Sequence, residues 1–222
     1  FYHVTYDMKE PYNVYGGLQD NQSWYAPTQS AGGIENSDWK NIGGGDGFWV
    51  QVDGMNPDIV YSESQGGEII RTDIKQGKAF NIKPQQALND EKLRFNWNTP
   101  IVIGQKNKRN LYIASQYLYK SVDEGKNWIK ISPDLTTNNK EKQKQEESGG
   151  LSADNTSAEN HCTIFSIAES SLDDNLIWVG TDDGNLQYTT DGGKNWTNVS
   201  KNYVAAGVPA QTWVSSIEPS KF

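Results

Sequence analysis

Ser121-Val-Asp-Glu-Gly-Lys-Asn-Trp128 and Thr189-Thr-Asp-Gly-Gly-Lys-Asn-Trp196 share the pattern Ser/Thr-x-Asp-x-Gly-x-x-Trp. In such a pattern the aspartate accepts backbone N–H groups and fixes a hairpin turn. The glycine supplies a backbone conformation with positive φ, and the tryptophan folds back to pack between neighbouring sheets. The pattern therefore predicts two structural turns. Their predicted structural positions are Ser121, Asp123, Gly125, Trp128, Thr189, Asp191, Gly193 and Trp196.

Each turn belongs to a longer repeat along the chain. Aromatic anchors recur at Tyr15, Tyr61, Tyr112 and Trp178, each after a polar turn and before small residues. A period of about 40 to 50 residues is typical of propeller blades. The last interval is longer because a polar insertion intervenes, interpreted as a solvated loop or as a loop that lines a site. The predicted blades are 1–50, 51–98, 99–160 with the polar insertion at 134–160, 161–210, and the start of a next blade at 211–222.

Composition narrows the class of protein. The 222 residues include 8 Trp, 11 Tyr and 21 Gly, which suits short strands joined by tight turns. A formal net charge of −8 argues against a nucleic-acid partner and against binding to an anionic membrane surface. No apolar run approaches the length of a membrane span, so no direct membrane insertion is predicted.

Cys162 is the single cysteine, so no intrachain disulfide sets the fold. We interpret it as a buried, inert thiol. His161 precedes it, but adjacent residues of a strand point to opposite faces, which disfavours a Cys–His pair. No metal is predicted, because the acidic turn at 182–185 lacks the spacing of a calcium loop. No cofactor is predicted either, because the glycine-rich segments lack a nucleotide-binding pattern.

The two turn motifs resemble those of the Asp-box, or bacterial-neuraminidase-repeat, propellers, a group that includes sialidases, xyloglucanase-type glycosidases and the sortilin-type receptor domain. The resemblance implies an all-β fold of four-stranded antiparallel blades. About four blades are too few to close such a ring, so we expect an arc of a larger propeller. In these families the Asp box is a structural turn, commonly away from the active face. The resemblance thus implies a fold and supplies no catalytic residue.

A closer resemblance rests on four further segments. They are similar to an exported bacterial group, commonest in Bacteroidota, whose members are named sortilin-like or glycosyl hydrolases with such repeats. This resemblance implies a secreted or cell-surface location and partners among the other blades of a longer chain. The segments are Gly16-Gly-Leu-Gln-Asp-Asn21, Gly43-Gly-Gly-Asp-Gly-Phe-Trp49, Leu93-Arg-Phe-Asn-Trp-Asn-Thr-Pro100, and Ser148-Gly-Gly-Leu151 with Ala158-Glu-Asn-His161.

Four carboxylates are candidates for a glycosidase acid/base pair, and they are Asp20, Asp46, Glu63 and Glu159. Such a pair is held about 5–5.5 Å apart in retaining enzymes and about 6.5–9.5 Å apart in inverting ones. The alternative is that these carboxylates cap turns, as aspartates do in glycine-rich loops.

Amides and aromatic rings form the second set of candidates, and they are Asn21, Trp49, Asn96, Trp97, Asn98 and His161. Sugar sites use this mixture, since rings stack on pyranose faces and amides bond hydroxyl groups. The same residue types also end strands and fill seams between blades, and a lone histidine is often structural. Two functions follow: a binding or scaffold propeller for a peptide, protein or glycan, which we favour, and a glycoside hydrolase acting on a polysaccharide.

Overall fold

The computed structural model describes residues 1–147, 152 and 156–222. In this part of the chain, strands form four four-stranded antiparallel sheets, and every sheet keeps its strands in chain order. The all-β architecture of propeller blades predicted from the sequence is confirmed. None of the described helices has the length and apolar character needed to cross a membrane.

The sheets are numbered blades 1 to 4 along the chain. Blade 1 contains β1 Val4–Tyr6, β2 Asn13–Gly17, β3 Ser23–Pro27 and β4 Lys40–Gly43. Blade 2 contains β5 Gly47–Val52, β6 Ile59–Ser64, β7 Glu68–Asp73 and β8 Lys78–Asn81. Blade 3 contains β9 Ile101–Ile103, β10 Leu111–Ala114, β11 Leu118–Ser121 and β12 Ile129–Lys130. Blade 4 contains β13 Ile164–Glu169, β14 Ile177–Thr181, β15 Leu186–Thr189 and β16 Thr197–Asn198.

Short helices lie between or after these strands. Turns of 3₁₀-helix are Asn36–Asp38, Gln65–Gly67, Lys140–Gln143 and Gln145–Glu147, and the α-helix α1 is Ser200–Ala205. The predicted division at 50/51 falls inside β5, and the strands of blade 3 end well before the predicted limit at 160. The long connection between Lys130 and Ile164 therefore holds most of the polar insertion.

The apolar core lies between blades rather than within one of them. One buried cluster joins blade 1 to blade 2 through Tyr15, Ile42, Val50 and Val60. Larger clusters join blade 2 to blade 3 and blade 3 to blade 4. The first strands of successive blades also contact one another, β1 with β5, β5 with β9 and β9 with β13. Stacking of sheets side by side around an axis is the packing expected of a propeller.

Three of the predicted aromatic anchors are buried tyrosines whose hydroxyl groups donate to carboxylates. Tyr15 donates to Asp7 Oδ2 at 2.8 Å, Tyr61 to Asp53 Oδ2 at 2.7 Å, and Tyr112 to Glu169 Oε2 at 2.7 Å. Each hydroxyl thereby keeps its hydrogen bond in the core, as burial of a polar group requires. The fourth anchor, Trp178, is half-buried and stacks on Tyr188.

Because the strands are antiparallel, the loops fall at two opposite ends of the blades. The turn end comprises the loops 7–12, 28–39, 53–58, 74–77, 104–110, 122–128, 170–176 and 190–196. Among the described residues, the insertion end comprises the loops and blade connections 18–22, 44–46, 65–67, 82–100, 115–117, 131–147 with 152 and 156–163, 182–185 and 199–213.

A backbone hydrogen bond recurs where one blade meets the next at the insertion end. Gly47 N donates to Leu18 O at 3.0 Å, and Ile164 N donates to Ser115 O at 2.9 Å. Both donors lie at the start of a blade's first strand. Val214 N makes the equivalent bond to Thr181 O at 3.0 Å. Residues around Val214 thus contact blade 4 as a following strand contacts a preceding blade, and their role as the start of a next blade stays a prediction.

Candidate functional site

Most of the candidate residues lie at the insertion end. Their positions follow from the meander, since loops between second and third strands share this end with the connections between blades. Asp20 and Asn21 lie in the loop after β2, Asp46 precedes β5, and Glu63 is the last residue but one of β6. Asn96, Trp97 and Asn98 precede β9, and Glu159 and His161 precede β13. Trp49 lies within β5.

Asp46 is a turn cap. Its Oδ1 accepts the backbone N–H of Asp20 at 2.9 Å, and its own N–H donates to Gln65 Oε1 at 2.8 Å. These bonds tie the connection before β5 to loops of blades 1 and 2. Asp20 has a positive φ of 61°, which its short polar side chain tolerates. Its carboxylate is exposed and has no hydrogen bond with the residues that the structure describes.

Glu63 is a buried acid, with 1% of its surface exposed. Its Oε1 accepts backbone N–H groups from Thr99 at 3.2 Å and Gly67 at 3.3 Å. Its Oε2 is buried and has no partner among the described residues. Burial raises the pKa of Glu63 well above its ordinary value, although the two N–H groups act against that rise. Burial therefore favours the protonated form of Glu63 and shields it from solvent.

Glu159 caps a local turn. Its carboxylate accepts from Thr156 Oγ1 at 2.7 Å and from the Thr156 backbone N–H at 3.1 Å. The hydroxyl hydrogen bond lowers the pKa of Glu159. The segment Ser148-Gly-Gly-Leu151, which carries part of the family resemblance, lies outside the described residues.

Asn96 is held in a buried network that joins two blade connections to a loop of blade 4. Its Nδ2 donates to Thr163 Oγ1 at 2.8 Å and to Asp182 Oδ2 at 3.3 Å. Thr163 also donates its N–H and hydroxyl to Asp182, at 2.9 and 2.6 Å. Burial raises the pKa of Asp182. Asn98 lies beside this network, and its backbone N–H donates to Asn96 Oδ1 at 3.0 Å.

The candidate tryptophans already contact rings of the same chain. Trp49 stacks on His3 with ring centroids 3.4 Å apart, and burial lowers the pKa of His3 to about 4. Trp97 meets Phe48 edge-on at 6.0 Å. Both tryptophans are half-buried, so each keeps part of its ring surface accessible. Asn21 is exposed and donates its side-chain amide only within its own loop, to Gln19 O at 3.1 Å.

His161 and Cys162 correct one interpretation of the sequence. They do not belong to a strand, because β13 begins at Ile164. Cys162 has φ of 61°, and His161 Nδ1 lies 3.4 Å from Cys162 Sγ. The prediction that their side chains point to opposite faces is therefore wrong. Burial, together with the charge of Asp183, raises the pKa of the Cys162 thiol, which disfavours a free thiolate nucleophile.

Sequence reasoning missed Arg94, which links the connection 82–100 to the polar insertion. Its guanidinium donates to Asp134 Oδ2 at 2.6 Å, to Glu91 Oε1 at 3.0 Å and to the Cys162 carbonyl at 3.2 Å. Arg94 is buried, whereas Asp134 is half-buried and Glu91 is exposed. Its position within the quoted segment 93–100 was the only signal in the sequence. A groove of about 360 Å³ opens beside it, between residues 91–94 and 143–147.

The two turn motifs have matching hydrogen bonds at the opposite end of the blades. The Asp123 carboxylate accepts from Ser121 Oγ at 2.8 Å and from Asn127 N at 2.9 Å. The Asp191 carboxylate accepts from Thr189 Oγ1 at 2.8 Å and from Asn195 N at 2.9 Å. The indole N–H groups reach the preceding blade connection, Trp128 to Ile82 O at 2.6 Å and Trp196 to Ile131 O at 3.2 Å. The motif glycines, Gly125 and Gly193, have φ of 78° and 100°.

Comparison with solved structures identifies the fold. The crystal structure of the GH74 enzyme of Niastella koreensis superposes with a TM-score of 0.51 at 16% identity, covering 84% of this chain and 27% of that one. The GH74 xyloglucanase of Xanthomonas campestris gives 0.51 at 12% identity, covering 92% and 31%. The β-propeller domain of Myceliophteria thermophila Cps50 (Swd1) gives 0.54 at 10% identity, covering 99% and 62%.

At these identities the likeness shows a β-propeller fold, and the chain spans less than a third of either GH74 enzyme. No protein-family model matches the sequence, and no curated protein is significantly similar to it.

Proposed function

We propose that the chain is a segment of an exported, sortilin-like Asp-box propeller that binds a peptide, protein or glycan at its insertion end. The observation that carries this proposal is the hydrogen bonding and burial of the candidate carboxylates. Asp46 and Glu159 accept backbone N–H groups as turn caps, and Glu63 is enclosed. Asp20 alone presents an exposed carboxylate without a described hydrogen bond, and a glycosidase needs a cooperating pair.

Accessible groups in β5 and at the insertion end suit recognition. Trp49 and Trp97 keep part of their ring surface, and Asn21 is exposed. Rings and amides are the groups with which proteins hold sugars and peptides. The net charge of −8 disfavours a nucleic acid in this role.

The Asp-box assignment draws support from the two turns described above. Their side-chain and backbone hydrogen bonds agree bond by bond, and both indoles reach back to the preceding blade connection. The sortilin-like and Bacteroidota grouping, and with it export to the cell surface, rests on the resemblance of the four quoted segments.

A glycoside hydrolase is the second candidate function. It is favoured by the shared fold of two GH74 enzymes and by Glu63, whose raised pKa is a property of catalytic acids. A raised pKa favours the protonated form that a general acid needs, and Asp20 is the exposed carboxylate. Enclosure of Glu63 weighs against contact with a substrate.

A panel of polysaccharides, oligosaccharides and peptides, assayed for binding and for release of reducing ends, tests the two functions. We expect binding without release, and a loss of binding of about tenfold or more in Trp97→Ala. Trp39→Ala is the matched control, since Trp39 is a half-exposed tryptophan beside the turn end. Release of reducing ends that disappears in Asp20→Asn or Glu63→Gln would establish the hydrolase instead. Equal binding by both tryptophan variants would remove the insertion end as the binding surface.

A further inference from the structure

Three potential metal ligands of different chemistry converge at the insertion end. They are His161, Cys162 and Asp183, whose ligand atoms all lie within 4.8 Å of one another. His161 Nδ1 lies 3.4 Å from Cys162 Sγ. Asp183 belongs to the loop 182–185 of blade 4, so the cluster joins the end of the polar insertion to the following blade.

The backbone at Cys162 is what brings these ligands together. Its φ of 61° lies in the left-handed region, which residues with a side chain seldom adopt and which costs roughly 1 kcal/mol or more. This conformation breaks the alternation of a strand and turns two consecutive side chains toward the same space. Such an uncommon backbone conformation is typical of functional sites, and here it accompanies a set of donors.

Neighbouring threonines fix the carboxylate of Asp183. Its Oδ2 accepts the N–H and the hydroxyl of Thr137, both at 2.7 Å, and its Oδ1 accepts the hydroxyl of Thr181 at 2.5 Å. Ligating carboxylates are held by hydrogen bonds of this kind. Oδ1 accepts only one of these bonds and keeps a second lone pair, so Asp183 can still coordinate through this oxygen.

The surroundings favour a cation. Cys162 and Asp183 are buried, and the adjacent Asp182 is buried with them. The guanidinium of Arg94 bonds the Cys162 carbonyl, but its other donors serve Asp134 and Glu91. The Asp183 carboxyl group and the Cys162 thiol thus share a small buried space, and His161, which is half-buried, forms its open side. A divalent cation would neutralise this group of acids.

We propose that His161 Nδ1, Cys162 Sγ and an oxygen of Asp183 bind one Zn²⁺, with the fourth position of a tetrahedron open to water or an added ligand. Thiolate, imidazole and carboxylate together are donors that Zn²⁺ accepts. Donors of such a site lie about 3.3–3.8 Å apart, so the widest pair closes by about 1 Å on binding. The thiol releases its proton to solvent as the Zn–S bond forms. The ion would join the polar insertion to blade 4.

Cobalt substitution tests this site directly. The 222-residue chain, freed of metal with a chelator, is titrated with Co²⁺ and then with Zn²⁺ under reducing conditions. We expect one Co²⁺ per chain, a thiolate-to-cobalt absorption band, and loss of that band as Zn²⁺ displaces Co²⁺. Cys162 is the single cysteine, so an intrachain band arises only from its thiolate. Absence of the band from folded, monomeric protein would overturn the proposal without any variant.

Variants assign the ligands. Cys162→Ser abolishes the band, and His161→Gln and Asp183→Asn weaken Co²⁺ binding by at least tenfold. Thr137→Val weakens it by about 10- to 100-fold, because it removes a hydrogen bond that orients Asp183. His3→Gln, which changes the other histidine, is the control and leaves binding unchanged. Circular dichroism verifies that each variant is folded. Unchanged affinity in folded His161→Gln and Asp183→Asn would contradict the assignment.

Discussion

Two pairs of acids, one at each end of the blades, show how opposite surroundings affect the same residue types. At the turn end, Asp123 and Asp191 touch solvent, and hydrogen bonds, first of all from Asn127 and Asn195, lower the pKa of each carboxyl. At the insertion end, burial raises the pKa of Glu63 and of Asp182. Solvent access and hydrogen-bond donors therefore decide whether the pKa of an acid is lowered, as in an exposed turn cap, or raised, as in an enclosed group.

The ends differ equally in the range of their contacts. Each turn motif completes its carboxylate hydrogen bonds within one short hairpin. Contacts at the insertion end join segments far apart in the chain, as Asn96 does with Thr163 and Asp182. Repetition thus builds the scaffold at one end, and the sequence departs from repetition at the end where we propose binding. The following predictions test that division.

The largest expected effect is Gly193→Ala at the turn end. A Cβ at Gly193 would lie 2.3 Å from the Ile131 carbonyl oxygen, and φ is already 100°. A backbone atom of the neighbouring blade cannot rotate away, so we expect a loss of about 3 kcal/mol or more in the free energy of unfolding. Urea unfolding followed by tryptophan fluorescence measures it.

Two glycines serve as controls for that loss. A Cβ at Gly125 would meet the flexible Ile82 Cδ1 at 2.4 Å, so Gly125→Ala should cost less. Gly207 has φ of 95° and open space around its Cβ position, so Gly207→Ala isolates the backbone strain, about 1 kcal/mol. Equal losses in Gly193→Ala and Gly207→Ala would show that the contact between blades does not restrain Gly193.

The sequence separation of the contacting residues also explains how much of the fold and of the candidate site could be predicted from the sequence. The turn motifs and the all-β fold follow from patterns of a few residues and their recurrence, and the fold is confirmed. The His161–Cys162 contact was not predictable, because it depends on the left-handed backbone of Cys162. The enclosure of Glu63 depends on Thr99, and that of Arg94 on Asp134, and no local pattern encodes such pairs.

The next largest loss of stability is expected when a motif tryptophan is replaced by phenylalanine, and the loss should differ between the two motifs. Trp128→Phe removes an indole donor whose bond to Ile82 O is 2.6 Å long, and we expect a loss of about 1–2 kcal/mol. The N–H of Trp196 is shared between Ile131 O and Gly193 O, both at 3.2 Å, so Trp196→Phe should cost less. Thermal unfolding of both variants under one buffer gives the comparison, and the reverse order would contradict the hydrogen-bond assignment.

A smaller effect, visible through pH, is expected for Glu63→Gln at the insertion end. The folded pKa of Glu63 lies above its ordinary value of 4.5, so the unfolded chain ionises first as pH rises. Stability from this group is present below about pH 4.5 and is lost as pH rises toward the folded pKa. Gln keeps an acceptor for Thr99 and Gly67, so the variant should lie within about 1 kcal/mol of the wild type at pH 4 and become the more stable at pH 8. Parallel pH profiles would mean that Glu63 ionises in the folded protein as readily as in the unfolded chain.

The smallest effect, and opposite in sign, is expected for Asp191→Asn at the turn end. Side-chain and backbone hydrogen bonds from Asn195 lower the pKa of Asp191 from 3.8 to about 2. Stability from this carboxylate is present above about pH 3.8 and is lost as pH falls toward 2. Wild type should therefore unfold at a higher temperature than Asp191→Asn at pH 6, and the difference should vanish near pH 2. Solvent around the carboxylate keeps the difference small. Asp123→Asn should follow the same pH profile because its turn has the same hydrogen bonds. If the difference in unfolding temperature between wild type and Asp191→Asn persisted to pH 2, the stabilisation would come from the shape of the turn rather than from its charge.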